Sequence, residues 1–528
     1  MTAPNAPTAQ APETFTPEGR LRSINPLTLD VLETVDVTSS SDLPAAFARA
    51  RSAQELWGAL PVKERVSRLA PLLGRIVERT DALTEIIHAE HGKSVTEATF
   101  SEVLGAAEVI RVHLKRAPQW LRTQKVPLDP LSYPGKRARV ERLPRGVVVA
   151  IMPWNYPLAL PMRTLLPALL CGNAVLLKPS EHSPMVGAAI ADLFDGLLPD
   201  GLLQVLQGGG ALGAALCSSP DASAIVFTGS VRTGKAVAAA AATNLTPLSL
   251  ELGGKDAAIV CRDADLQRSA AGIAWGAFHN SGQNCAAIER VYVEDDVYDD
   301  FLVALSEATA QLRTEGDPET VEVGPLCTAQ QFALVTAQLE QAIARGGRVI
   351  TGGRATGRGW GIEPTVLADV PDDCDVWTEE TFGPLLPVRK IHSVYEGVER
   401  SNASPFGLSV SVWGRNAGRA EEVARRCSVG MALVNNHSFN GSLPESPWVG
   451  TKASGSGVTG SALSIQFLTR PQLVLVDRSK QLEVWWFPLN GTALAMGRTL
   501  LASLVAPIFQ RIGLTLRLLG LLGKRWKS

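Results

Sequence analysis

Cysteine is scarce and scattered in this sequence. Seven cysteines in 528 residues, Cys171, Cys217, Cys261, Cys285, Cys327, Cys374 and Cys427, stand far apart with no C-x-x-C pair. That argues against a disulfide framework or a zinc site and for a reducing, cytosolic compartment. A charge excess is missing too. Lys and Arg number 50 against 52 Asp and Glu, leaving a formal charge of -2, so nothing electrostatic points to nucleic acid. The first twenty residues are rich in Pro, Thr, Ala and Glu but have neither a basic start nor an apolar stretch. They predict a flexible tail rather than a secretory signal. Disorder is excluded as the main state by 45% hydrophobic residues, and the length suits two or three domains.

Between Leu43 and Thr123, Leu69, Leu72, Leu73 and Ile76, then Leu83, Ile86 and Ile87, recur at helical spacing opposite a charged face. From Gly146 the pattern changes. GVVVAIMPW, AVLLKPS, LLQVLQ, AIVFTGS and AAIVC read as buried strands, with helix-like stretches between the first four. Such alternation predicts an α/β fold with a doubly wound parallel sheet and ligands at the carboxyl ends of its strands. A second α/β domain follows from Ala264 to about Val434, with VYVEDD, RVITGG, LLPVRKI and LSVSVW as strands. After Pro447 comes a Gly- and Ser-rich segment and then the strand-like IQFLTRPQLVLVD, and no repeat of fixed period is present. From Val484 to Ser528 there is no acidic residue, but six Lys or Arg among Leu-rich runs. These runs, broken by Arg511 and Arg517, are too short to span a bilayer. They can lie in its surface, pack on themselves, or face a second copy.

Two glycine-rich signals mislead. Gly208, Gly210 and Gly213 match G-x-G-x-x-G, but in the third strand-helix unit and followed within twenty residues only by Asp221. GSVRTGK, from Gly229 to Lys235, resembles a phosphate loop until Ala236 replaces the magnesium-binding hydroxyl. What remains there is a strand ending in FTGS and a helix starting near Thr233, whose free N–H groups can take a phosphate.

Three residues carry candidate chemistry. Cys285 sits in a polar loop, HNSGQNCAAIER, whereas Cys171, Cys217, Cys261 and Cys427 have apolar or helical settings. Glu251 ends an otherwise apolar strand before two glycines, where burial raises a carboxylic acid's pKa and suits it to take a proton from water. A structural role would instead pair it with Lys255. Asn155 follows a strand end, and its side-chain N–H can stabilise an oxyanion, though an Asx turn before Pro157 would serve as well.

Read together, PWN ending at Asn155, LKPSEHSP from Leu177, FTGS, LELGGK from Leu250, GQNC ending at Cys285, EETFGP from Glu379 and SPFGLSVSVW from Ser404 resemble the aldehyde dehydrogenase superfamily. They occur in family order between about Phe47 and Val476. The resemblance implies a subunit of two doubly wound α/β domains with a small β bridging and oligomerisation arm, assembled as homodimer or homotetramer. The corresponding division is a tail over 1–20, a cofactor-binding domain over 21–254 with an arm segment at about 124–145, a catalytic domain over 255–450, a loop and oligomerisation strand over 451–477, and a basic extension over 478–528.

The same resemblance implies NAD(P)-dependent oxidation of a small-molecule aldehyde to a carboxylic acid through a thiohemiacetal and thioester on Cys285. Asn155 and the Cys285 N–H would hold the oxyanion, and Glu251 would activate water. No metal takes part. Lys178 and Glu181 are expected at the adenosine ribose, Gly229 and Ser230 at the pyrophosphate, Glu380 and Phe382 at the nicotinamide ribose, and Trp154 at the junction of cofactor and substrate. Glu181 favours NAD, because a carboxylate accepts from a free 2′-hydroxyl and repels a 2′-phosphate, and NADP is admitted if the glutamate swings aside. A succinate-semialdehyde enzyme of this fold would need a basic residue facing the tunnel. Asn284, Ala286, Ala287 and Ile288 supply none, which leaves an arginine from elsewhere, such as Arg163. A non-catalytic binding or scaffold member would have lost the nucleophile or the base. Where many relatives carry Pro-Phe-Gly-Gly-x-Lys, this chain has Pro447-Trp448-Val449-Gly450-Thr451-Lys452 without the following Arg-Glu pair, and its basic tail makes a peripheral membrane contact a further expectation.

Overall fold

The computed structural model describes residues 13–129, 133, 135–480, 483 and 485–525. Most of the expected 1–20 tail lies outside these. Two compact units divide the chain, one from residues 1–121 and 143–470, the other from 122–142 and 471–528.

The larger unit contains two large sheets and three two-stranded ones. In the first, five parallel strands run in the order Leu203–Val205, Ala174–Lys178, Val147–Ile151, Ala224–Thr228, Leu248–Glu251. The chain winds outward one way from Val147–Ile151 and then returns to its other side. The crevice where the direction reverses therefore opens at the carboxyl end of that strand, which is where Met152 to Asn155 lie. Every residue of Val147–Ile151 and Ala174–Lys178 is buried, as the unbroken apolar runs require of strands covered on both faces. The covering helices on one side are those read between 43 and 123, whose Leu69, Leu72, Ile76, Leu83 and Ile87 are buried.

The second sheet has seven strands, ordered Arg348–Thr351, Thr365–Ala368, Leu385–Ile391, Ile288–Glu294, Asp256–Val260, Ser409–Trp413, Met431–Val434. All neighbours are parallel except the Arg348–Thr351 edge. AAIVC, read in series with the first four strands, belongs to this second sheet: after Glu251 the chain crosses from one sheet to the other over four residues. Two strands, Thr365–Ala368 and Met431–Val434, had no separate signal in the sequence. IQFLTRPQLVLVD is not one strand either. Its first four residues close the Ser461–Leu468 helix, and the strand is Thr469–Asp477. Ile465 and Leu468 are buried three apart, a helical spacing hidden in a short apolar run.

The smaller unit holds a three-stranded sheet ordered Thr469–Asp477, Lys136–Pro144, Gln124–Val126 and two helices, Gly491–Val505 and Ile508–Arg525. Among the described residues no helix is long and apolar enough to cross a membrane.

Candidate active site

The site lies where the chain passes between the two large sheets. Asn155, Glu181, Gly229 and Ser230 follow strands of the first sheet and Lys178 ends one, as the doubly wound pattern predicts. Cys285 does not. It precedes the Ile288–Glu294 strand, so the second sheet presents the amino end of that strand to the site.

The cysteine loop is held by backbone strain. Asn280, Ser281 and Gly282 are consecutive left-handed residues with φ of 53°, 58° and 71°, a run that only surrounding structure can enforce. Half-buried Glu97 accepts from the Asn280 N–H, and loss of solvent around it pushes the Glu97 carboxyl up to about 7. Asn280 Nδ2 donates to the carbonyls of Asn155 and Gln283 at 3.0 Å each. Asn155 is 3% exposed, and its Nδ2 donates to the Gln283 carbonyl at 3.1 Å. Its side chain thus reaches the cysteine loop instead of its own turn. A polar chain runs alongside: the Tyr156 hydroxyl and Asn284 Nδ2 stand 3.2 and 3.1 Å from His279 Nε2, whose Nδ1 lies 2.8 Å from the Trp275 carbonyl. Burial lowers the His279 pKa to about 4, so the ring is neutral, donates through Nδ1 and accepts through Nε2. Asn284 Oδ1 in turn faces Cys285 Sγ at 3.7 Å.

Of the seven cysteines, Cys285 alone is not fully buried. Burial, with the carboxylates of Glu251, Asp256 and Glu380, pushes its thiol far up. At rest the sulfur is protonated, so any attack must pass that proton to an acceptor. Glu251, buried at the end of Leu248–Glu251, has its pKa raised to about 7 by desolvation, while Thr459 and Arg163 pull the other way. Lys255 does not pair with it. That lysine lies 2.6 Å from Glu289 and 2.9 Å from the Thr381 hydroxyl. Glycine is needed between the two candidates: a Cβ on Gly254 would sit 2.4 Å from the Cys285 carbonyl oxygen, and one on Gly253 would sit 2.2 Å from a Glu380 oxygen.

The residues expected around a dinucleotide are also placed. Lys178 Nζ approaches Glu181 Oε2 at 3.4 Å; burial alone would raise the Glu181 pKa, but Lys178 brings it below its ordinary value. Ser230 caps the Val231–Ala242 helix, which starts two residues before the expected Thr233, and accepts from the Thr233 N–H at 3.2 Å. Gly213, in the misleading glycine motif, packs beside Lys178, where a Cβ would lie 3.6 Å from Lys178 Cδ, an ordinary contact. Glu380 accepts from the Gly254 N–H at 3.0 Å, and burial raises its pKa to about 8. Phe382 meets Trp154 edge to face at 5.5 Å, fixed by Glu289, which accepts from the Thr381 and Phe382 N–H groups at 2.8 Å each. Among the described residues no cluster of His, Cys, Asp or Glu could hold a metal.

Cys285 is among the residues that line a cavity of about 960 Å³. Its wall is mostly apolar, with Phe100, Leu160, Trp275, Phe278 and Leu312, and Arg163 is among its polar residues. Trp448 and Thr459, from the segment that departs from the family pattern, line it too.

Sequence reasoning missed the buried pair beneath the site. Lys93 and Glu102, 2.7 Å apart with fully buried side chains, tie two helices' worth of chain to the loop: Lys93 donates to the Asn155 carbonyl at 2.8 Å, and Glu102 accepts from the Leu158 and Ala159 N–H groups. Removing one partner strands the other charge. Lys93→Met is expected to cost about 3–5 kcal/mol, read as a lower urea midpoint, whereas an unchanged midpoint would mean that Glu102 is not held as an ion.

Comparison with known proteins gives a consistent picture. A profile of the aldehyde dehydrogenase family matches residues 15–474. The chain is 39% identical to the 4,4'-diapolycopene aldehyde oxidase of a Methylomonas species, covering 89% of each chain. It is 35% identical to the NADP(+) succinate-semialdehyde dehydrogenase of Deinococcus radiodurans, covering 88% of this chain and 96% of the other. Among solved structures, PnpE in complex with nicotinamide adenine dinucleotide superposes with a TM-score of 0.84 at 32% identity, over 88% of this chain and 95% of that one.

Proposed function

The chain belongs to the aldehyde dehydrogenase family and is an aldehyde dehydrogenase, and from that premise we propose that it oxidises a bulky apolar aldehyde to the free carboxylic acid with NAD, through a covalent adduct on Cys285. The observation that carries the substrate class is the large, mostly apolar cavity that Cys285 helps to line, near the upper end of the roughly 300–1,000 Å³ found for small-molecule sites. The relative named for an aldehyde of diapolycopene, a hydrocarbon by its name, agrees with it.

In this reading the protein's residues act in sequence. The Cys285 thiol loses its proton to solvent water as Sγ bonds to the aldehyde carbon, and the carboxylate of Glu251 is kept for the second half of the reaction. Asn155 Nδ2, released from the Gln283 carbonyl, and the Cys285 N–H receive the oxyanion. NAD, when bound, supplies the hydride acceptor. Lys178 and Glu181, the capped helix start at Ser230, Gly229, Glu380 on its glycine seat, and the Trp154–Phe382 pair suit the donor and acceptor needs of a dinucleotide. Glu251 then takes a proton from water as the water oxygen attacks the thioester carbon, and the Sγ–C bond breaks to release the acid, with Glu251 returning its proton to the leaving sulfur so that thiol and carboxylate are both restored.

We assign 21–254 to cofactor binding and 255–450 to catalysis. Self-association as a dimer or tetramer would run through the Thr469–Asp477 strand, whose exposed Leu473 and Leu475 lie at an open sheet edge. A second substrate reading has one specific support. Arg163 is 9% exposed on the cavity wall and makes no ion pair among the described residues, an arrangement suited to a far carboxylate as in a semialdehyde. The two separate in one assay of NADH formation at 340 nm. The apolar reading expects decanal to exceed succinic semialdehyde about tenfold or more in kcat/KM, and Arg163→Met to leave decanal within a few fold. A preference for the semialdehyde, lost in Arg163→Met, would replace the first reading by the second.

A further inference from the structure

The smaller unit carries a surface that aldehyde oxidation does not use. Its Gly491–Val505 and Ile508–Arg525 helices pack on each other but bury few side chains, Met496 and Thr499 in the first and Arg525 in the second. Ile508, Ile512, Leu516 and Leu519, at spacings of four, four and three, are 57–72% exposed along one face. Leu501 and Leu504 of the first helix are 67% and 74% exposed. Water-facing apolar stripes of this extent mark a docking surface.

The charges say what docks. Among the described residues after Glu483 there is no carboxylate side chain, while Arg498, Arg511, Arg517, Lys524 and Arg525 are all cationic. Arg517 and Lys524, seven residues apart, flank the Ile508–Leu519 stripe on its solvent side, where their stems can reach past it to headgroups. Trp485 and Trp486, about half exposed, stand just before the helices, and indole rings favour the headgroup level of a bilayer. A second copy of the same face would bring cation against cation, and neither helix can cross a membrane.

We propose that the paired C-terminal helices lie flat in the surface of an anionic membrane, apolar stripes inserted and Arg517 and Lys524 at the phosphates. This does not depend on the reading of Cys285. The test is flotation of the full-length protein with vesicles of phosphatidylcholine, with and without phosphatidylglycerol, at low and high salt. Binding is expected only with phosphatidylglycerol and is expected to weaken in salt. Arg517→Gln/Lys524→Gln should lower partitioning about 30-fold, from roughly 1 kcal/mol per cation near an anionic surface. Ile512→Ser/Leu516→Ser should abolish flotation, and both variants should keep wild-type NADH formation with propanal. Equal binding to phosphatidylcholine alone, or no flotation of the wild type, overturns the proposal. So does an oligomer that dissociates in Ile512→Ser/Leu516→Ser without any lipid binding, which would make a second copy the occupant.

Discussion

Cys285→Ala is expected to lower aldehyde-dependent NADH formation by roughly 10⁴-fold or more, the scale of losing a nucleophile from a covalent mechanism. The other cysteines cannot stand in. Cys171, Cys217, Cys261, Cys327, Cys374 and Cys427 are buried, and none of them lines the cavity that Cys285 lines. The loss belongs to chemistry rather than folding, because the loop is held through other atoms: the Asn280 amide, the Gln283 carbonyl and the Glu97 carboxylate keep their partners when Sγ is removed. Cofactor binding, followed by quenching of Trp fluorescence on adding NADH, should therefore survive in the variant. Residual activity within tenfold of wild type would place the chemistry elsewhere.

Glu251→Gln should fail differently. If Glu251 activates water, the first half of the reaction can still proceed, and mixing with excess decanal and NAD should give a burst approaching one NADH per subunit followed by a rate about 10³-fold below wild type. The pH dependence has a definite sign. Desolvation raises the Glu251 pKa to about 7, and only its deprotonated form can accept a proton, so the wild-type steady-state rate should rise with pH and level off above about 7. The variant has no titrating group at that position and should lose this limb. A variant with no burst and an unchanged pH profile would mean that Glu251 serves packing, not proton transfer.

How far the sequence carried this picture depends on the range over which each feature is encoded. The strands of both sheets were readable where apolar runs lay between turn residues, as in Val147–Ile151 and Ala174–Lys178. The GQNC and LELGGK segments pointed to Cys285 and Glu251 before any geometry was known. Interactions distant in sequence were not readable. Lys93 and Glu102 meet beneath Asn155, 62 residues from Lys93, and Glu289 holds the turn at Phe382, 93 residues away. Nothing local distinguishes those charges from surface ones. Arg163 did carry a local signal, because an arginine in the apolar run ALPMRTLLPALL must be buried with its helix, as eleven of those twelve residues are. The protonated state of Cys285 could not have been read from its polar loop, since it is set by burial and by three carboxylates brought in from other elements.

The central claim is that the aldehyde carbon becomes covalently attached to Cys285 and is released by water that Glu251 activates. The most direct measurement is peptide mass mapping of Glu251→Gln quenched in acid seconds after mixing with decanal and NAD. The account predicts a decanoyl group on the peptide that contains Cys285, formed only when NAD is present and absent from Glu251→Gln/Cys285→Ala. A variant that turns over without ever carrying the acyl group, or that carries it on another cysteine, would contradict it.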